Sequence, residues 1–401
     1  MDSAKQHEGV TPEPTGDWED WDELQTSRHR KLDLTLHDLK VIEGRRGEIL
    51  GRVDKPFWRI LRYWEGTCLR VLSRDYLVWG CMLIYGVVRL QAHMHDLPGY
   101  IQALGSSNVD VVGGFLSFFL VLFCNQSNQR FYEQYKCSME CLGRLYDVAS
   151  LATTALPMPN ALRMVRYLNA AHVVGYIGLS DTYTQKNLFD ALNPSYQMLT
   201  TDEVRRVSSL DMNNSSDAFR ELTVWTLQEI MTAQREGLVD GRFAGELRDK
   251  VLRFRGAMES IYDYSDQPIH FYYIHFLSLL TAIYLPVFAA STAYSAGVGD
   301  AVHWTSDVLS GVIVLVQCIF VVGLRLLGQR LLDPYGSDLE DLSVLHYVQE
   351  GWTTSQRVLS TDFPTRMEPD IEMGLASSSK AIGPPWDAKL RKRSAQGPTF
   401  A

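Results

Sequence analysis

Residues 115–135 read FLSFFLVLFCNQSNQRFYEQY, and this stretch decides the fold. An apolar run turns, within six residues, into a sequence of Asn, Gln, Arg and aromatic side chains. The pattern is that of a membrane helix that leaves the bilayer into a polar compartment without a break. Such a helix can line a pore, which raises the question of what would pass through it.

Outward from this junction the chain carries four apolar segments: Tyr76–Leu90, Val109–Cys124, Phe271–Tyr294 and Val308–Leu327. The last two approach the roughly 20 residues needed to cross a bilayer. The first two are shorter, but each continues as plausible helix into amphipathic sequence, so a tilted span is reasonable. Four buried helices of a soluble core are the alternative. Charge placement favours the membrane. The connections His93–Asp110 and Thr292–Ser306 hold no Lys or Arg, whereas Arg59, Arg62, Arg70, Arg74, Arg130, Lys136, Arg253, Arg255, Arg325 and Arg330 flank the other ends. The positive-inside rule then places both termini and the middle region in the cytosol. The expected spans are about 75–95, 109–127, 270–295 and 307–328, with a cytosolic insert over 131–265.

Whole-chain averages conceal this. The 401 residues are 21% charged with net charge -9, and mean hydropathy is -0.10. The acidic balance offers no basic field for nucleic acid. Six cysteines are scattered without disulfide-framework spacing. Cys137 and Cys141 lie one helical turn apart without nearby His or further Cys ligands. Residues 1–50 are polar, with an acidic run Asp2–Glu23 and no apolar core, so neither a signal peptide nor a transit peptide is expected.

The insert has helical periodicity at Leu142–Leu156, Ala161–Leu179, Ala218–Glu236 and Gly245–Tyr262, and no strand pattern. Thr200 with Glu203 fits a capping box. Leu156–Pro159 and Asn213–Ser216 read as turns. The expected fold class is therefore all-α: a four-span membrane protein with a large helical cytosolic region. From about residue 366 the composition shifts to Ser, Gly, Pro and Lys, an extended or disordered tail.

Directly after the fourth apolar segment, Asp333, Asp338, Glu340 and Asp341 place four carboxylates within nine residues around a Pro/Gly turn. Ca²⁺ takes six to eight oxygens from carboxylates and carbonyls on such turns. The spacing is not that of an EF-hand, and a solvated acidic turn capping the next helix is the plain alternative.

Four separated stretches resemble the bestrophins, pentameric anion channels gated by Ca²⁺. These are Arg62–Arg70 before the first apolar run, Phe115–Tyr135 ending in Arg130-Phe131-Tyr132-Glu133-Gln134-Tyr135, the turn Asp333–Asp341, and Arg366–Asp370. The resemblance implies a channel domain over 51–365 between an amino-terminal segment 1–50 and a tail 366–401. It implies a homopentamer in a lipid bilayer. By resemblance the apolar pore neck falls on Gly114, Phe118 and Leu122, Gly114 standing where relatives carry a bulky residue. The line Val111, Phe115, Phe118, Leu122 is equally good helical geometry, because a span that is apolar all round does not reveal its pore face. Apolar pore rings gate by dewetting.

The resemblance further implies a Ca²⁺ clasp from Asp338 and Asp341, with Asp333 where many relatives have Asn and a backbone carbonyl near Leu50. Ser337 departs from the Glu of animal relatives. A second, cytosolic constriction would fall at Arg242, next to Phe243, although an exposed Arg at a helix start is the simpler reading. The tail Leu390–Phe400 resembles an inhibitory tail, with phosphorylation of Ser394 beside Arg391–Arg393 as a regulatory step.

The function expected is a ligand-gated anion channel in the cell membrane, passing chloride with bicarbonate as a further candidate, and opened by Ca²⁺. The alternative is a non-conducting scaffold or a regulator of other channels. A secondary transporter would need inverted repeats or a broken intramembrane helix, and neither is visible. No nucleophile set, HExxH or phosphate loop marks an enzyme.

Overall fold

A computed structural model describes residues 34–52, 55–60, 62–64, 67–94, 109–213, 216–267, 269–296 and 304–361. The acidic run Asp2–Glu23, the stretch Arg366–Asp370 and the tail with Ser394 lie outside the described residues. Every regular element among the described residues is helical. The main helices are α1 (Leu36–Leu50), α2 (Tyr76–Met94), α3 (Val109–Ala155), α4 (Met158–Val174), α5 (Asp217–Arg235), α6 (Gly241–Asp266), α7 (Phe271–Ser295), α8 (Trp304–Arg330) and α9 (Val344–Leu359). Shorter helical turns connect several of them.

Helix α3 is the spine. It runs unbroken for 47 residues, about 70 Å at 1.5 Å per residue. No Gly or Pro interrupts Phe115–Leu142, so nothing stops the helix at the apolar-to-polar junction. It ends where Pro157 pushes Leu156 out of helical geometry. Pro159 then lies in the first turn of α4, where a missing N–H costs nothing.

Two hydrophobic cores are strung along α3. The first packs Leu116, Leu120 and Phe123 against α2, α7 and α8, including Cys81, Leu285, Val314 and Val321. Helices α3, α7 and α8 are long and apolar enough to cross a membrane, while α2 holds a shorter apolar helix over Tyr76–Ala92. Close approach of α8 to α3 depends on Gly328, since a Cβ there would overlap the ring of Phe123. That ring meets Tyr273 of α7 edge-on at 5.9 Å, and the Tyr273 hydroxyl donates to Phe119 O at 3.1 Å.

The second core packs Cys141, Leu145, Val148 and Ala152 of α3 against α4, α5, α6 and α9. Leu39 and Ile42 of α1 are also buried. The insert's helices start and stop close to the expected places. Periodicity expected to run to Leu179 gives way at Gly175, which caps α4. Gly178 then adopts φ +85, and a Cβ there would collide with Asn213 O. At Thr200 the capping box forms as expected, with Glu203 Oε2 accepting from Thr200 N at 2.7 Å.

His172 of α4 is 1% exposed in this core, and neither ring nitrogen has a hydrogen-bond partner. Its ring packs against Tyr176 and Phe254. Burial lowers its pKa from 6.5 to about 4. Between those values the folded state binds fewer protons than the unfolded chain, so stability is lost as pH falls through the window. The loss is roughly 3 kcal/mol by pH 4. Relative to His172→Phe, the wild type is expected to lose that much stability from pH 6.5 to 4 in detergent unfolding. A difference that stays constant over the window would rule this out.

Candidate functional site

Burial divides the faces of α3. Leu116, Leu120, Phe123, Ser127, Gln134 and Ser138 are buried, while Val111, Gly114, Phe115, Phe118, Val121 and Leu122 are exposed. Phe118 is 59% exposed and Leu122 43%. The same exposed stripe continues through Asn125, Gln126 and Gln129 to Tyr132 and Lys136. Gly114, Phe118 and Leu122 thus share one uncovered face, and so do Val111 and Phe115 of the alternative line. Both registers remain compatible with that face.

The Arg130–Tyr135 motif joins the halves of the molecule. Arg130 Nη2 donates to Tyr264 O of α6 at 2.7 Å. Gln134 is buried, and its carbonyl accepts from the Tyr335 hydroxyl at 3.2 Å. Tyr132 and Tyr135 stack, with the Lys136 ammonium over the Tyr132 ring. Arg242 stands at the expected helix start, its N–H bound to the Asp240 carboxylate at 3.0 Å. Its side chain is exposed and lies 3.6 Å from Glu246.

The turn Asp333–Asp341 sits between the end of α8 and the start of α9. Tyr335 anchors it: its ring is buried and its hydroxyl lies 2.9 Å from Ser138 Oγ of α3. Ser180 donates to Tyr335 O at 2.6 Å. The turn closes on itself through Leu342 N to Pro334 O at 2.8 Å. Glu340 is spent on Arg330, at 3.0 Å. Asp341 is buried and accepts from Asp338 N at 2.7 Å. Burial, then the Asp338 carboxylate, pushes its pKa up to about 8, with Arg46 pulling the other way.

The turn's interior is filled by Arg46 of α1, which is 2% exposed. Its Nε donates to Asp338 O at 3.1 Å, and Nη2 donates to Asp338 O at 2.9 Å and Gly336 O at 3.0 Å. Nη1 donates to Leu342 O at 3.1 Å, with Tyr183 Oη at 3.4 Å. Leu50 lies one helical turn further on, at the last position of α1. The expected Ca²⁺ site therefore meets a poor fit. Carbonyls that face inward already accept from a guanidinium, which leaves a hard cation few free oxygens there. Among the described residues no three His, Cys, Asp or Glu side chains cluster to hold a metal.

The family model described as "Bestrophin, RFP-TM, chloride channel" matches residues 52–361. The chain belongs to the bestrophin family. Two similar relatives come from Caenorhabditis elegans. Bestrophin homolog 5 is 22% identical over 71% of this chain and 63% of its own length. Bestrophin-6 is 20% identical over 79% of this chain and 82% of its own length. This bestrophin thus spans less than two-thirds of the first relative. In fold it is similar to the crystal structure of a bacterial bestrophin homolog from Klebsiella pneumoniae, with a TM-score of 0.59 at 15% identity, over 72% of this chain and 99% of that one. This bestrophin is an integral membrane protein of a chloride-channel family.

Sequence reasoning did not find Arg46. The available signal was a stripe on α1 at i, i+3 and i+7: Leu39, Ile42 and then a cation on the same face.

Proposed function

We propose that this bestrophin is an anion channel, passing chloride and bicarbonate through the axis of a homopentamer lined by one α3 from each subunit. The observation that carries this reading is the exposed stripe of α3, which stays on one face from Val111 into the polar stretch at Asn125–Gln129. A pore-lining face must stay uncovered by the chain's own helices along the whole ion path, and this stripe does so while turning from apolar to polar.

In this reading Phe118 and Leu122 form an apolar neck that gates by dewetting. Gly114 widens the neck at its outer end. The amides of Asn125, Gln126 and Gln129 supply N–H donors to an anion leaving the neck. Arg242 forms a second, anion-attracting constriction. Helix α2 completes a four-span layer, with both termini cytosolic and the protein in the cell membrane. Ca²⁺ takes no part in opening, because Arg46 fills the turn that would bind it.

Chloride flux from liposomes reconstituted with the purified chain tests the proposal. Flux above that of protein-free liposomes is expected. Its absence, with correctly folded protein, would point to the scaffold reading.

A further inference from the structure

The oxygens around the Arg46 guanidinium are those a hard cation would take: the carbonyls of Gly336, Asp338 and Leu342, the Tyr183 hydroxyl, and the carboxylates of Glu43 and Asp341. The two carboxylates lie 3.5 and 3.9 Å from it. Each guanidinium nitrogen has an oxygen acceptor. The side chain stays cationic. A divalent ion in the same cage would stand beside a fixed positive charge in a water-poor site, where repulsion is poorly screened. Its entry would require the Arg46 side chain to leave these acceptors, and Leu39 and Ile42, buried on the same face of α1, hold the residue in place.

We propose that Arg46 is a tethered cation that occupies the acidic turn in place of a calcium ion. The closed form of the turn is then set by docking of α1 and not by free Ca²⁺. The turn is tied to α3 through Tyr335 and Ser138. Docking of the amino-terminal helix therefore acts on the same helix that carries the proposed neck. This last consequence rests on the channel reading, whereas occupancy of the turn does not.

Thermal unfolding of the full chain in detergent, in CaCl₂ and in EGTA, tests the occupancy. The wild type is expected to melt at the same temperature in both. Arg46→Gln leaves a neutral group among buried oxygens and is expected to melt lower by roughly 5 °C or more. A Ca²⁺-dependent rise in the wild type that Asp341→Asn abolishes would overturn the proposal. So would Arg46→Gln melting at the wild-type temperature. A rise that persists in Asp341→Asn places the ion elsewhere and leaves the turn to Arg46. If Arg46→Gln cannot be purified, the wild-type comparison still decides. Chloride flux, run in parallel, is expected to be equal in CaCl₂ and EGTA. No flux in either would defeat the channel reading alone, since the melting data judge Arg46 independently.

Discussion

Phe118→Ala is expected to raise chloride flux through reconstituted protein by about tenfold, equivalent to removing about 1.4 kcal/mol from the barrier at the neck. The physical reason is dewetting: in the proposed pentamer, five phenyl rings around a narrow axis would exclude water, and an anion would have to shed hydration to pass. Alanine widens the ring and lets water remain. Phe118 is the informative position because it lies on both candidate neck lines, and because the chain's own packing leaves it exposed. Leu120, two residues on, is fully buried between helices. Leu120→Ala is expected instead to cost about 2–5 kcal/mol of stability, with no gain in flux per folded channel. Flux unchanged in Phe118→Ala would remove the neck from this position.

Arg89→Leu is the second large effect. Arg89 of α2 is buried, donates to Ala293 O of α7 at 3.3 Å, and forms an ion pair with Asp307 of α8. One side chain thus ties three helices, α2, α7 and α8. The Tyr85 hydroxyl donates to Asp307 O at 2.6 Å, close beside the pair. Removing one partner leaves a charge with its counter-ion gone, at a cost of about 3 kcal/mol. That is the lower end for buried pairs, since the Asp307 side chain is 26% exposed. The double variant Arg89→Leu, Asp307→Leu removes both charges and is expected to regain most of the loss. Thermal unfolding in detergent reads both, and a double variant no better than the single would show that the pair is not the cause.

Much of this was legible in the sequence, for identifiable reasons. The apolar runs mark α3, α7 and α8, the three helices long and apolar enough to cross a membrane, and the shorter apolar helix α2, and Pro157 marks the end of α3 because proline cannot continue a helix. The capping box at Thr200 is local chemistry and survived folding intact. The uncovered face of α3 was not legible: Phe115–Phe123 is almost wholly apolar, and only packing by α7 and α8 shows which side is covered. Arg46 was hidden for a different reason. Its acceptors lie 290 to 296 residues away, at Gly336, Asp338 and Leu342. An acidic turn read alone suggests a metal ion. Read with α1 docked, the same turn already has its positive charge.

The central claim is that the exposed stripe of α3 lines the anion path. Cysteine substitution with a charged thiol reagent tests it most directly, with chloride flux from liposomes as the readout and the wild type as control for the six native thiols. Modification of Phe118→Cys is expected to change flux sharply, whereas modification of Val316→Cys, on the exposed apolar face of α8, leaves it unaltered. Flux that is indifferent to modification at position 118, or as sensitive at 316, would contradict the account.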